Sequence, residues 1–272
     1  ASTGLEITKA LDVDHFVLWK TCKLSKELQI ATVGKQYLRL DRRVDGLARL
    51  SPSILREFLT YSVIGLSNDI PSIKKRAALI TAYSKKVSRQ KLELAHRMVS
   101  GVVKRLEHEW PQDHQACFII AGDIVYDMAH DVPRPEHSTG RLVKGSDIDL
   151  VIIVDDEMPD SFVKILDENI YQEKYKMLVL PSTNEEVDYI IKKLERVREQ
   201  VSFDTFKHML ACKILQEGTL LFGSKELFQR TKEILQKHGI IGKLKDLEKR
   251  AKVFRKNAEK SLFHDNVDPK QT

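Results

Sequence analysis

Lys144-Gly145-Ser146-Asp147-Ile148-Asp149-Leu150-Val151-Ile152-Ile153-Val154 opens by alternating acid with aliphatic and ends as an unbroken aliphatic run. A short aliphatic run of this kind predicts a buried strand. Successive strand side chains point to opposite faces, so Asp147 and Asp149 share one face while Ile148 and Leu150 turn to the core. Two carboxylates on one face repel each other unless a cation bridges them or they share a proton. A donor set made only of oxygen selects Mg²⁺ or Mn²⁺, with waters and substrate phosphates completing the octahedron.

Working outward, Val187-Asp188-Tyr189-Ile190-Ile191 predicts a second strand with an acid in an apolar setting. If it lies beside the first, Asp188 converges on Asp147 and Asp149. Glu186 shares a strand face with Asp188 and is the alternative third acid. Asp188 is preferred because Val and Tyr flank it within the strand. Upstream, Cys117-Phe118-Ile119-Ile120-Ala121 predicts a strand ended by Gly122. A helix is expected over 161–177 and a strand over 177–180. Helices follow over about 192–216, 225–237 and 243–262. The expected fold class is mixed α/β on a small mixed sheet with flanking helices.

Residues 1–110 read mostly as helix and form a helical N-terminal module. Ser51-Pro52 predicts a helix start, with Ser51 as the cap. Pro71 after Asp69 predicts another, and 88–110 a long amphipathic helix ended by Pro111. A small strand is expected at 36–40. The chain thus divides into 1–110, 111–224 and 225–272.

The net charge of +6 is unevenly spread. Residues 1–110 carry 20 Lys/Arg against 11 Asp/Glu, 111–224 carry 12 against 21, and 225–272 carry 13 against 7. Acids gather where cations are held, and basic flanks suit a phosphate-bearing partner, RNA or DNA. Two solvated helical faces would give the same counts. Cys22, Cys117 and Cys212 are odd in number and widely spaced, which speaks against a disulfide framework or a zinc ribbon. Buried free thiols and a cytoplasmic location are expected. No apolar run is long enough to span a bilayer, and Ala1-Ser2-Thr3-Gly4 leads into no basic region followed by an apolar one, so no signal peptide is expected. His130 and His137 with Asp127 or Asp131 match no standard zinc spacing.

Gly145-Ser146-Asp147-Ile148-Asp149-Leu150-Val151-Ile152 resembles the core motif of the DNA polymerase β-like nucleotidyltransferase superfamily. In that pattern a strand ends in Gly-Ser or Gly-Gly, a short helix follows, the next strand carries Asp-x-Asp, and a later strand carries a third Asp. Here those places fall to Gly122, to Asp147 and Asp149, and to Asp188. Leu215-Gln216-Glu217-Gly218-Thr219-Leu220-Leu221-Phe222-Gly223 is similar to the segment that closes minimal domains of this kind. The resemblance covers roughly residues 111–224.

It implies a two-metal nucleotidyltransferase: an acceptor hydroxyl attacks the α-phosphorus of a nucleoside triphosphate, ATP by expectation, and pyrophosphate leaves. Asp147, Asp149 and Asp188 would be catalytic and bind Mg²⁺ or Mn²⁺. Gly122, Gly145 and Ser146 would border the phosphates. Two features depart from the pattern. Asp123 stands where Ser or Gly is usual, so it is either a further metal ligand or a sign of altered substrate geometry. The stretch from Gly122 to Asp147 is about twice the usual length and reads as an inserted loop. Its Arg141 and Lys144 would neutralise phosphate oxygens, unless they belong to an ordinary basic loop. The acceptor, which could be nucleic acid, protein or a small molecule such as an aminoglycoside, is not readable. The rivals are a non-catalytic nucleotide-binding or regulatory module that keeps the fold, and a cyclase or pyrophosphate transferase on a related one.

Overall fold

The computed structural model describes residues 1–111, 114–136 and 139–264. The chain forms two units: Ala1–Tyr83 with the described residues from Lys243 onward, and Ser84–Gly242. Segments 1–110 and 225–272 therefore each contribute to both. The architecture is mixed α/β, and no helix among the described residues is long and apolar enough to cross a membrane.

The first unit contains β1 (Ser2–Thr3), α1 (Gly4–Leu11), α2 (His15–Leu24), β2 (Leu28–Thr32), β3 (Tyr37–Leu40), β4 (Ala48–Ser51), α3 (Ile54–Tyr61) and β5 (Ser62–Leu66). It is not the helical module expected from the sequence. β5 pairs antiparallel with β1 and β2, and β3 with β4. Strands of two to five residues are too short for their period of 2 to stand out from a helical one. The strand expected at 36–40 is present as β3. Helix starts follow local chemistry. Thr3 and Glu6 form a reciprocal capping box on α1, with Glu6 N donating to Thr3 Oγ1 at 3.2 Å and Thr3 N to Glu6 Oε2 at 2.8 Å. The cap of α3 is Ser53, whose Oγ accepts from Arg56 N. Ser51, expected in that role, instead ends β4 and donates its hydroxyl to Tyr37 Oη at 3.2 Å.

Leu18, Trp19, Ile54, Phe58, Ile64 and Leu262 form the core of this unit, with Trp19 stacked on Phe16 and Phe263. Arg255 is buried beside it. Its guanidinium donates to Pro52 O at 2.9 Å and pairs with Glu57 at 2.9 Å and Glu259 at 2.8 Å. Truncating one partner of a buried pair strands the other charge. Arg255→Ala is expected to lower the unfolding free energy by about 3 kcal/mol, read by urea denaturation.

The unit boundary at Tyr83 falls within α4 (Ile70–Arg105). Two helices were expected here. No Gly or Pro lies between Ser72 and Ser100, so nothing interrupts a single one. It ends at Arg105, short of Trp110, in a turn. The second unit then runs through β6 (Ala116–Ala121), β7 (Arg134–Pro135), β8 (Leu142–Val143), β9 (Ile148–Val154), α5 (Asp160–Val179), β10 (Val187–Lys193), α6 (Leu194–Gln200), α7 (Phe206–Glu217), β11 (Thr219–Gly223) and α8 (Lys225–Lys237). α9 (Ile240–His264) carries the chain back to the first unit. The expected strand at 177–180 is absent: Met177 and Leu178 are buried on the last turn of α5. Four apolar residues are too few to separate the two periods. The single helix expected over 192–216 is the end of β10 followed by α6 and α7.

The sheet order is β10-β9-β6-β11, with β10 parallel to β9 and the other pairs antiparallel. Ile148, Leu150, Ile152 and Val154 of β9 and Phe118 and Ile120 of β6 face Ala95, Val99 and Val102 of α4 and Phe162, Leu166 and Ile170 of α5. That side is the main core. The inserted loop begins with a 3₁₀ turn at Gly122–Tyr126 and carries the small β7–β8 hairpin. At the far end Lys232 of α8 donates to Leu215 O, Gln216 O and Gly218 O at 2.6–2.8 Å. Its ammonium satisfies carbonyls that the end of α7 leaves open and so fixes the exit into β11.

Candidate metal centre

The parallel register pairs Asp188 on β10 directly with Asp149 on β9, so their side chains share a face. Asp147 lies two residues before Asp149, just ahead of the strand, and points the same way. One carboxylate oxygen from each of the three falls within 4.8 Å of the others. Ile148 and Leu150 are buried on the opposite face, as the alternation requires.

Gly122 follows the last residue of β6, Ala121, which pairs with Asp149. Its φ is +72°, and a Cβ built there would lie 2.1 Å from Asp149 Oδ2. Only glycine fits both the left-handed backbone and the carboxylate against it. Gly145 (φ +58°) brings its backbone equally close to His130, whose carbonyl would be 1.9 Å from a Cβ.

Ser146 is buried and turned into this contact. Its amide donates to His130 O at 2.9 Å, its Oγ accepts from His130 N at 3.2 Å, and its hydroxyl donates to Asp123 Oδ2 at 2.8 Å. Asp123 therefore engages the serine that the resemblance assigns to the phosphates. Burial, and then the charges of Asp147, Asp188, Asp123 and Glu217, push the Asp149 carboxyl up to about 8. A carboxylate so crowded is stabilised by a cation.

One cation already stands at the rim. Arg134 of β7 donates Nε to Gly145 O at 2.6 Å, pairs Nη1 with Glu186 Oε2 at 2.7 Å, and holds Nη2 3.7 Å from Asp147 Oδ2. Glu186, weighed as the alternative third acid, is thus occupied by Arg134. Burial raises its pKa, and Arg134 opposes that rise. Lys174 Nζ lies 3.3 Å from Asp188 Oδ1. Glu217 accepts from Tyr126 Oη at 2.7 Å and pairs with Lys213 at 2.6 Å. Lys144 sends its ammonium to Ser182 O at 3.2 Å, and Arg141 is exposed with its backbone oxygen accepting from Glu136 N.

His137 lies outside the described residues. Among the described residues, the His, Cys, Asp and Glu group able to hold a metal is Asp147, Asp149 and Asp188. The three cysteines are free and buried, and burial pushes the Cys117 thiol up to about 12.

The sequence reading missed Arg134, Glu217 and Lys91. Arg134 sits between Pro133 and Pro135 and carries no periodic signal. Lys91 did carry one. It lies midway between Val87 and Ala95 on the stripe that α4 buries, where a lysine needs a partner. No protein-family model matches the chain, and no curated protein matches its sequence.

A bound cation would relieve the repulsion among the three acids. At a concentration one hundred times its dissociation constant, Mn²⁺ is expected to stabilise the protein by about 2.7 kcal/mol. The melting temperature should rise by several degrees in calorimetry, and Asp149→Ala should abolish the shift.

Proposed function

We propose that Asp147, Asp149 and Asp188 hold divalent cations, and that the second unit transfers a nucleoside monophosphate from a nucleoside triphosphate to an acceptor hydroxyl, releasing pyrophosphate. The observation that carries this reading is the register of Asp149 with Asp188, with Asp147 drawn within the same 4.8 Å. Three carboxylates, with no nitrogen or sulfur donor in the cluster among the described residues, suit Mg²⁺ or Mn²⁺, and the half-exposed Asp188 leaves room for water and phosphate oxygens. A mixed sheet with an acid pair opening one strand, a third acid on its neighbour and Gly122 ending the next supports the nucleotidyltransferase type of sheet.

Cations bound there would make the acceptor hydroxyl more acidic and offset charge on the triphosphate. The chain itself contributes position. The half-buried Asp149 neighbours the other two acids, and Gly122 keeps side-chain bulk away from it. Asp188, on the exposed side, is placed for the acceptor hydroxyl. The acceptor oxygen bonds to the α-phosphorus as the bond to the bridging oxygen of pyrophosphate breaks, and the hydroxyl proton passes to Asp188 or to water. Residues 1–83 and 243–272 carry 22 Lys/Arg against 13 Asp/Glu, which suits RNA or DNA as the acceptor. ATP is the expected donor, and the three buried thiols suit a reducing, cytoplasmic setting.

The test is incubation with each α-labelled nucleoside triphosphate, Mg²⁺ or Mn²⁺, and pools of RNA, DNA, protein and aminoglycosides. Label transfer with pyrophosphate release, lost in Asp149→Ala, is expected. Neither signal in the wild type would remove the enzyme. The bond from Ser146 to Asp123 favours a second reading, a nucleotide-binding module without turnover, because the hydroxyl nearest the phosphates is already committed. Saturable binding of Mg²⁺-ATP in calorimetry, with no pyrophosphate formed, would select it.

A further inference from the structure

The three acids come from two segments of chain. Asp147 and Asp149 stand at the start of β9, and Asp188 at the start of β10. The gap between them depends on how the residues leading into each strand are held. The backbone joins these lead-ins through Lys144 N to Asn184 O at 3.0 Å and Ile148 N to Glu186 O at 2.9 Å. Two side-chain cations join them again. From α4, Lys91 donates to Lys144 O at 2.7 Å and pairs with the Glu185 carboxylate, both side chains being almost fully buried. From β7, Arg134 donates to Gly145 O and pairs with Glu186. The pattern repeats: each cation holds one carbonyl of the first lead-in and one carboxylate of the second. The carbonyls belong to consecutive residues, and so do the carboxylates.

We infer that Lys91 and Arg134 form a two-sided clamp that sets the separation of Asp147 and Asp149 from Asp188, and through it the affinity of the metal site. This rests on the metal reading above. Stability alone explains the arrangement poorly. A buried Lys–Glu pair gains little over apolar side chains of the same volume, yet each of these bonds ends on a segment that carries a ligand. Lys91 and Arg134 are positioning residues. Contacts that orient metal ligands from behind typically change affinity or activity 10- to 100-fold.

The test removes each pair whole, so that no net charge is added or lost near the carboxylates. Lys91→Met with Glu185→Gln breaks the buried arm, and Arg134→Met with Glu186→Gln breaks the front arm. Mn²⁺ binding to the full chain is followed by electron paramagnetic resonance, with urea unfolding as the check on the fold. Wild type should bind Mn²⁺ saturably. Each double variant should raise the dissociation constant about 10- to 100-fold and alter the bound-Mn²⁺ spectrum, which a merely structural pair would leave unchanged. Because both arms act on one gap, the quadruple variant should lose less than the product of the two. Wild-type affinity and spectrum in both double variants would overturn the clamp. If the Lys91 pair swap does not fold, the partly exposed Arg134 arm carries the same decision. Absence of saturable Mn²⁺ binding in wild type, or its persistence in Asp149→Ala, is a different result: it removes the metal reading and the clamp with it.

Discussion

Asp149→Asn is expected to slow nucleotide transfer by about a thousandfold while making the metal-free protein more stable. The substitution keeps the size of the side chain and removes its charge. A thousandfold loss corresponds to about 4 kcal/mol of barrier, the share the proposed function assigns to Asp149 as a ligand in a site working by positioning and charge. The gain in stability has the same origin. Asp149 is half-buried near Asp147, Asp188, Asp123 and Glu217, and desolvation and these charges all disfavour its charged form. Relieving that crowding should add about 1 kcal/mol, as is common when functional strain is removed. Transfer assays and urea unfolding on the same preparation would read both. An aspartate serving only the fold would lose stability on substitution, so a variant that is less stable and equally active would sink the proposal.

Gly122→Ala is expected to lower both stability and activity, by about 2–3 kcal/mol and about a hundredfold. The backbone at φ +72° costs any L side chain about 1–2 kcal/mol. The remainder comes from the new methyl, which would fall 2.1 Å from Asp149 Oδ2 and 3.2 Å from its Cγ. One of the two must move, and a displacement near 1 Å at a reacting centre costs about a hundredfold in rate. Gly46 separates the two effects. It has φ +76° with nothing within 4 Å of a built Cβ. Gly46→Ala should show the backbone loss alone, with transfer unchanged. Equal losses at the two glycines would mean that the approach to Asp149 does not matter.

The cluster of three carboxylates was legible because the strand that opens it is long. Seven residues of β9 present acid-aliphatic alternation and then a buried aliphatic run. Asp188 stood out as a lone acid in an apolar strand. The fold of the first unit was not legible. Leu28–Thr32 and Ser62–Leu66 are five residues each, and a window that short fits a helix as well as a strand. Arg134 was hidden for another reason. It reaches the carboxylates through a two-residue ladder with Val143, and no local pattern encodes a contact made by a hairpin across the fold. Lys91 shows that some of the remainder could be read. A lysine on the buried stripe of a long amphipathic helix asks for a partner, though its sequence position does not name Glu185.

Ser84–Gly242 is one unbroken stretch, whereas the first unit takes its residues from both ends of the sequence. On a ribosome, every residue of the carboxylate site, with Lys91 and Arg134, has emerged before Leu262 and Arg255 are made. The stretch Ser84–Gly242 is translated ahead of those residues, while Trp19 must wait for Phe263 and Glu57 for Arg255 until the helix that carries them has emerged.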